Sequence, residues 1–255
     1  MKTLKKTTYL ILLALLSMMT SCSSDDDLAE NPQDPGPSQG TTAPFDLGEI
    51  YQKDLTLPTQ LNQSTDENAM GLVSKYEEVI GFQDDSDIAQ VPPGAVLSHD
   101  PVQAGNGRST ANEDYDYDVY TYTVGGTTLI YQFSVQNGEE VFELFQDIDG
   151  DELDMMLLYE VRQSMDGATG TASFYFFGAA ITWTWQVNAD ESILMTMQIP
   201  NGINGGILYE AMLYPDNSGY LSFYVGNDLN LEYHWSGDGS GTWVNHTNNE
   251  SGSWN

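Results

Sequence analysis

From about Tyr117 to the end of the chain, apolar and polar side chains alternate. Ile181, Trp183, Trp185 and Val187 interleave with Thr182, Thr184 and Gln186. Ile193, Met195, Met197 and Ile199 do so with Leu194, Thr196 and Gln198, and Leu229, Leu231, Tyr233 and Trp235 with Asn230, Glu232 and His234. Side chains of a strand point alternately to its two faces, so each run predicts an antiparallel strand with one face buried. Turn sequences punctuate the runs, among them Gly125-Gly126, Asn137-Gly138, Asp149-Gly150, Asp166-Gly167, Gly205-Gly206 and Gly237-Asp238-Gly239. Several fit two-residue hairpins, which need positive φ at their centre. The pattern predicts a mainly β fold, a curled meander of about ten or eleven antiparallel strands, because so wide a sheet must close or half-close into a barrel or fold into a sandwich.

Ahead of the strands the spacing changes. Ala69, Leu72, Val73, Tyr76, Val79 and Ile80 recur at helical intervals. Ser64 followed by Glu67 reads as a capping box, and Gly81 as a stop, so one helix is expected over residues 64–80. Its apolar stripe is one face wide, which suits a helix capping the concave side of the curled sheet. Residues 82–111, with Pro92-Pro93-Gly94 and Gly105-Asn106-Gly107, read as a long irregular connection.

The first residues describe an address. Lys2, Lys5 and Lys6 precede the apolar run Tyr9–Leu16, which is too short for a membrane-spanning helix of about 20 residues. Small residues then lead to Cys22, the single cysteine. This is the anatomy of a secretory signal. The stretch Met19-Thr20-Ser21-Cys22 resembles the lipobox of bacterial lipoproteins, which implies cleavage before Cys22 and its lipidation. Ser23, Ser24, Asp25, Asp26 and Asp27 resemble the export signal of Bacteroidetes-type surface lipoproteins. That resemblance implies outer-membrane anchoring and display on the surface of a Gram-negative cell. Residues 22–45, rich in Ser, Asp, Pro and Gly, read as an extended tether. The chain therefore divides into a signal peptide at 1–21, a tether at 22–45 and a single β-rich domain at 46–255.

Charge narrows the partners. Every one of the 38 acidic residues follows Cys22, against only four basic ones, Lys53, Lys75, Arg108 and Arg162. Such a surface repels nucleic acid and anionic headgroups, so the lipid on Cys22 is expected to supply the membrane attachment. With the cysteine so used, no disulfide is expected and stability must come from a core rich in Tyr, Phe, Trp and Met. One domain of this size can be a monomer with a sizeable interior.

Sites of chemistry are sparse. His99, His234 and His246 are the only histidines, no nucleophile elbow is present, and no ligand spacing suggests zinc. Glu143, Glu160, Glu210 and Glu232 offer material for a carboxylate pair of the glycosidase kind. Asp147, Asp149, Asp151 and Asp154 surround Gly150, but their spacing departs from the calcium loop of an EF-hand and reads first as an acidic hairpin tip. No cofactor is expected. The run Glu113–Asp118 alternates acids with tyrosines, like an amphipathic edge strand. Trp183, Trp185, Met195 and Met197 are expected in the core, or lining a cavity if the sheet is hollow. Trp243 and Trp254, among Gly, Ser, Thr and Asn, are expected to be exposed and able to stack on a ligand such as a sugar.

The plan of a curled sheet with a helix resembles the periplasmic lipoprotein carriers, whose unclosed barrel of about eleven strands holds a helical lid. Leu57-Pro58, the helix from Ala69 to Ile80, Val91-Pro92-Pro93-Gly94-Ala95, Thr182-Trp183-Thr184-Trp185, and Gly239-Ser240-Gly241-Thr242-Trp243 echoed by Ser251-Gly252-Ser253-Trp254 resemble a group of Bacteroidetes-type lipoproteins. That second resemblance implies no activity. Three functions are expected in order: a non-catalytic binding or display module, a carrier of a lipid or other apolar ligand, and a glycan-active enzyme. Whether the space between helix and sheet is filled or hollow separates the first two.

Overall fold

The computed structural model describes residues 54–82, 88–102, 115–147, 155–176, 179–200 and 205–255. The signal peptide, Cys22, the export signal, the tether, and Asp149, Asp151 and Asp154 lie outside the described residues.

Two helices come first, α1 (Thr59–Asn62) and α2 (Glu67–Val79). Strands β1 (Val96–Ser98), β2 (Tyr117–Val124), β3 (Thr127–Gln136), β4 (Glu139–Asp147), β5 (Met156–Ser164), β6 (Thr169–Phe176) and β7 (Ala179–Val187) follow. Then come β8 (Ile193–Ile199), β9 (Ile207–Leu213), β10 (Gly219–Val225), β11 (Asp228–Trp235), β12 (Gly241–Asn245) and β13 (Glu250–Trp254). The thirteen strands among the described residues form one sheet in sequence order, antiparallel throughout, with β1 and β13 at its two unjoined edges. The meander expected from the alternation is therefore present as an unclosed sheet. It is wider than expected because β1 forms inside the connection read as irregular and the C-terminal segment adds β13 beyond the strand that follows Gly237-Asp238-Gly239. Residue pair Asn137-Gly138 shows why the turn reading works: φ is 55° and 84° at the two positions, as a two-residue hairpin between right-twisted strands requires.

The helix begins later than the capping box suggests. Asp66, extended at φ −68° and ψ 131°, is the N-cap, and its Oδ1 accepts from the backbone N–H of Asn68 (2.8 Å) and Ala69 (3.2 Å). A carboxylate at the positive end of the helix outcompetes the hydroxyl two residues back. Ser64 Oγ instead accepts from the Asp66 N–H at 3.2 Å, and Pro58 starts the separate turn α1.

Among the described residues, the inner face of the sheet is packed against α2. Helix α2 buries Ala69, Leu72, Tyr76 and Val79 in one cluster with Trp183, Trp185, Met195, Tyr209, Leu221, Tyr233 and Trp235. Tyr76 meets Trp235 edge to face at 5.7 Å between ring centroids, and Phe82 stacks flat on Trp185 at 5.3 Å. Trp183 Nε1 donates to the Glu78 carbonyl at 3.3 Å. Partners from β7 to β11 on one short helix show how far the sheet wraps around it. Leu55, Leu57 and Ala89 complete the cluster with Tyr131, Phe133, Phe142 and Tyr159.

A smaller apolar cluster lies on the opposite face. Tyr117, Val119, Ile130, Phe145, Met155 and Leu157 are buried there, with Val102, Tyr115 and Tyr175 packed against them. Central strands β3 and β4 are consequently buried on both faces, and polar Gln132 and Glu143 are enclosed with them. Of the tyrosine–acid run, Tyr117 and Asp118 open β2 and pair with β3, ahead of residues 119–121, which β1 covers; Glu113 and Asp114 lie outside the described residues.

Three tryptophans are held by a recurring arrangement. Trp185 lies near the end of β7, Trp235 and Trp254 end β11 and β13, and their Nε1–H groups donate to the carbonyls of Gly167 (3.1 Å), Asn217 (2.8 Å) and Gly239 (2.8 Å). Each acceptor follows an aspartate, Asp166, Asp216 or Asp238, in the turn that opens the neighbouring strand. Opposite each indole stands a glycine, Gly170, Gly219 or Gly241, where a Cβ would overlap the ring. This unit overturns the expectation for Trp254. It is 4% exposed, and its ring belongs to the core.

Candidate functional site

With the inner face occupied, accessible polar chemistry lies on the outer face from β5 onward. Antiparallel pairing lines its residues into rows. One row runs Arg162, Thr171, Thr184, Thr196, Glu210, Ser222, Glu232, Val244, each opposite the next. Neighbouring strands lie about 4.8 Å apart, so the row is a ladder of closely spaced hydroxyl, carboxylate and guanidinium groups. Thr184 and Thr196 share a hydrogen bond at 2.7 Å, and Ser173 and Thr182 share one at 3.2 Å in the adjoining row.

At the β5 end Arg162 Nε donates to Glu160 at 2.5 Å, and Nη1 reaches Gln136 Oε1 at 3.4 Å. The other Glu160 oxygen accepts from Tyr175 at 2.8 Å. Burial works against the arginine's charge, but Glu160, with Glu143 and Glu139 beyond, outweighs it and raises the pKa. Glu139, Arg162, Thr169, Thr171, Thr184, Gln186 and Leu194 border an open depression of about 450 Å³.

Glu143 and Glu160 are direct cross-strand partners, so two of the four candidate carboxylates do come together. Glu143, however, is 1% exposed and accepts from Gln132 Nε2 at 2.7 Å. Gln132 is itself fixed by the Val102 N–H at 2.7 Å. Glu210 and Glu232 flank Ser222 from either side, two strands apart. Glu210 accepts from Tyr220 at 3.1 Å. Glu232 lies between His234 Nε2 (2.8 Å) and His246 Nε2 (3.4 Å), and the hydrogen bond from His234 leads the causes holding its carboxyl below the usual range. His99 lies by the opposite edge, its Nδ1 2.9 Å from the Tyr117 carbonyl and 3.3 Å from Asp118. The three histidines therefore do not converge.

Trp183, Trp185, Met195 and Met197 are 8%, 2%, 0% and 4% exposed and sit in the packed interior, Trp185 alone among them also bordering the outer depression. Phe82 and α2 occupy the space a ligand would need. Trp243 is half-buried against the same core, so neither tryptophan proposed for stacking is freely presented. Asp147 is buried, and among the described residues no group of His, Cys, Asp and Glu is arranged to hold a metal ion. Among them, too, no helix is long and apolar enough to cross a membrane.

Arg162 and the threonine ladder escaped the sequence reading. The spacing Thr169-x-Thr171-x-Ser173 and Thr182-x-Thr184 was the available signal, yet it reads simply as the wet face of two strands. Register across the sheet gathers these residues around the arginine, and register is set by turn lengths and bulges such as the one between Leu144 and Phe145. Comparison of the chain with protein-family models, with curated proteins and with solved structures finds no match.

Proposed function

We propose that the chain is a lipid-anchored module displayed at the outer surface of a Gram-negative cell, where it binds a partner without transforming it. The signal sequence, Cys22 and the acidic residues after it support the anchoring and the address. The observation that carries the binding role is the filled interior: α2, Phe82 and the tryptophans of β7 and β11 occupy the concave side, leaving the outer face to meet a partner. The carboxylate pair Glu143–Glu160 supports no hydrolytic role, since the Glu143 carboxylate is enclosed and engaged by Gln132 where a substrate would have to reach it.

A tether rich in proline would hold the domain roughly tens of ångströms off the membrane, within reach of the medium. The surplus of acidic side chains keeps the domain soluble and apart from anionic lipid and nucleic acid. The test is protease shaving of intact cells combined with palmitate labelling. The proposal expects a labelled chain that is cleaved on whole cells, and an unlabelled Cys22→Ser chain that leaves the membrane fraction. A labelled chain protected until the outer membrane is opened would refute surface display, and a Cys22→Ser chain still in the membrane fraction would refute the anchor.

A further inference from the structure

We infer that the depression at Arg162 on the outer face is a subsite for one ring of a neutral polysaccharide. The inference rests on the binding role proposed above and names the ligand class.

Size is the first consideration. An open hollow of about 450 Å³ lies within the range of small-ligand sites and suits a sugar ring or two. Its lining supplies donors and acceptors side by side. Arg162 carries five N–H donors, of which, among the described residues, Glu160 and Gln136 engage two. Thr171, directly opposite Arg162, has an uncommitted hydroxyl that both donates and accepts. Gln186 uses its amide nitrogen on Asn188 at 3.0 Å and retains its carbonyl oxygen. The Glu139 carboxylate accepts on the far side. Vicinal hydroxyls, each donor and acceptor, match this mixture, and Leu194 offers the apolar contact a ring face needs.

Charge selects within the class. The single guanidinium of the hollow faces three carboxylates, Glu139, Glu143 and Glu160. The local field is negative, as is that of the whole chain at −31. Uronates, sulfated glycans and phosphates are therefore repelled despite the arginine, and an uncharged glycan is accepted. Trp185 borders the hollow, but it is 2% exposed with its ring stacked on Phe82 in the core, so it offers a ligand no aromatic face and one site binds weakly. Many anchored copies on one surface would hold a long polymer by avidity.

The experiment is affinity electrophoresis of the full-length protein, solubilised in a non-glycosidic detergent, through gels holding laminarin, xylan, mannan, dextran, alginate or heparin. At least one of the four neutral polymers should retard the protein, while alginate and heparin should not. Arg162→Ala should weaken the retardation about tenfold, as loss of a charged hydrogen-bond donor does. Thr171→Val, isosteric and half-buried, should weaken it without altering the circular dichroism spectrum, which guards against misfolding of the arginine variant. Glu210→Gln, four strands from Arg162 and outside the lining of the hollow, should leave it unchanged. Retardation by no neutral polymer, by alginate or heparin alone, or to the same extent in wild type and Thr171→Val overturns the subsite. If that happens while shaving shows a surface-exposed chain, the subsite falls and the display reading stands. If shaving finds the chain shielded, the display reading falls whatever the gels show.

Discussion

Trp254 is where the two views of this chain separate most sharply. Its neighbours in sequence suggest an exposed ring free to stack on a ligand. Its environment in the fold is a core: 4% exposure, a 2.8 Å bond from Nε1 to the Gly239 carbonyl, Tyr233 at 6.3 Å, and Gly241 cleared away beneath the indole. A large aromatic side chain buries about 150–250 Å², worth roughly 4–6 kcal/mol at 25 cal/mol per Å² as an upper bound. Cutting Trp to Ala in a core costs about 3–5 kcal/mol. Because β13 is an edge strand paired only with β12, detaching it sets a ceiling on the loss, and we expect about 2–4 kcal/mol for Trp254→Ala. Trp254→Phe keeps most of the apolar contact but leaves the Gly239 carbonyl without its donor, so about 1–2 kcal/mol is expected. The assay is urea unfolding followed by far-ultraviolet circular dichroism, which does not depend on the tryptophan removed. An unchanged midpoint for Trp254→Ala would refute the placement of the ring in the core.

Two further perturbations test the same physics elsewhere. Gly219→Ala sets a methyl group against the Met212 carbonyl and the Trp235 ring and should cost about 1–3 kcal/mol by overpacking, whereas Gly81→Ala meets nothing within 4 Å and should be neutral or stabilising by about 0.5 kcal/mol. Equal urea midpoints for the two variants would show that the indole is not seated over the glycine. Alkaline pH should also destabilise the fold: burial pushes the phenols of Tyr131 and Tyr233 up to about 12, above the unfolded value near 10. The unfolded chain then releases these protons first, so the stability is fully present below about pH 10 and declines as pH rises from there towards 12. The urea midpoint should fall between about pH 9 and 11, and fall less in a Tyr131→Phe, Tyr233→Phe double variant; parallel slopes would refute the attribution.

How much of this was legible in the sequence depends on the range of the interaction involved. Strands β7, β8 and β11 could be read almost residue by residue, because one face is wet and the other dry and the period survives intact. Strands β3 and β4 were harder, since the second apolar cluster covers their outer face and erases the alternation: Val141, Phe142, Glu143, Leu144 and Phe145 are consecutive and all buried. Short β1 carries no pattern at all, and its Val96 is 69% exposed, so only pairing with β2 makes it a strand. The helix was visible through its stripe, while its true cap was misassigned because Ser64 and Asp66 are both good caps and only the backbone geometry chooses between them.

The same distinction of range separates the tryptophans from the arginine. The three Trp–Gly pairs were written in the sequence as a glycine at or beside the start of one strand, after an aspartate turn, and a tryptophan at or near the end of the next. Gly239-Ser240-Gly241-Thr242-Trp243 and Ser251-Gly252-Ser253-Trp254 even echo one another locally. Taken as solvent-facing because small residues surround them, these segments are instead rich in small residues because an indole lies over the strand and leaves no room for a Cβ. Small neighbours of a tryptophan on an antiparallel sheet therefore signal a covered ring as readily as an exposed one. Arg162 has no such local marker. It stands among Glu143, Glu160 and the threonines solely because five strands keep register from β4 to β8, and a slip of one residue in any of them would turn the ladder inward. A site assembled by register is invisible to motif reading, and the hairpin turns that fix the register determine whether it exists.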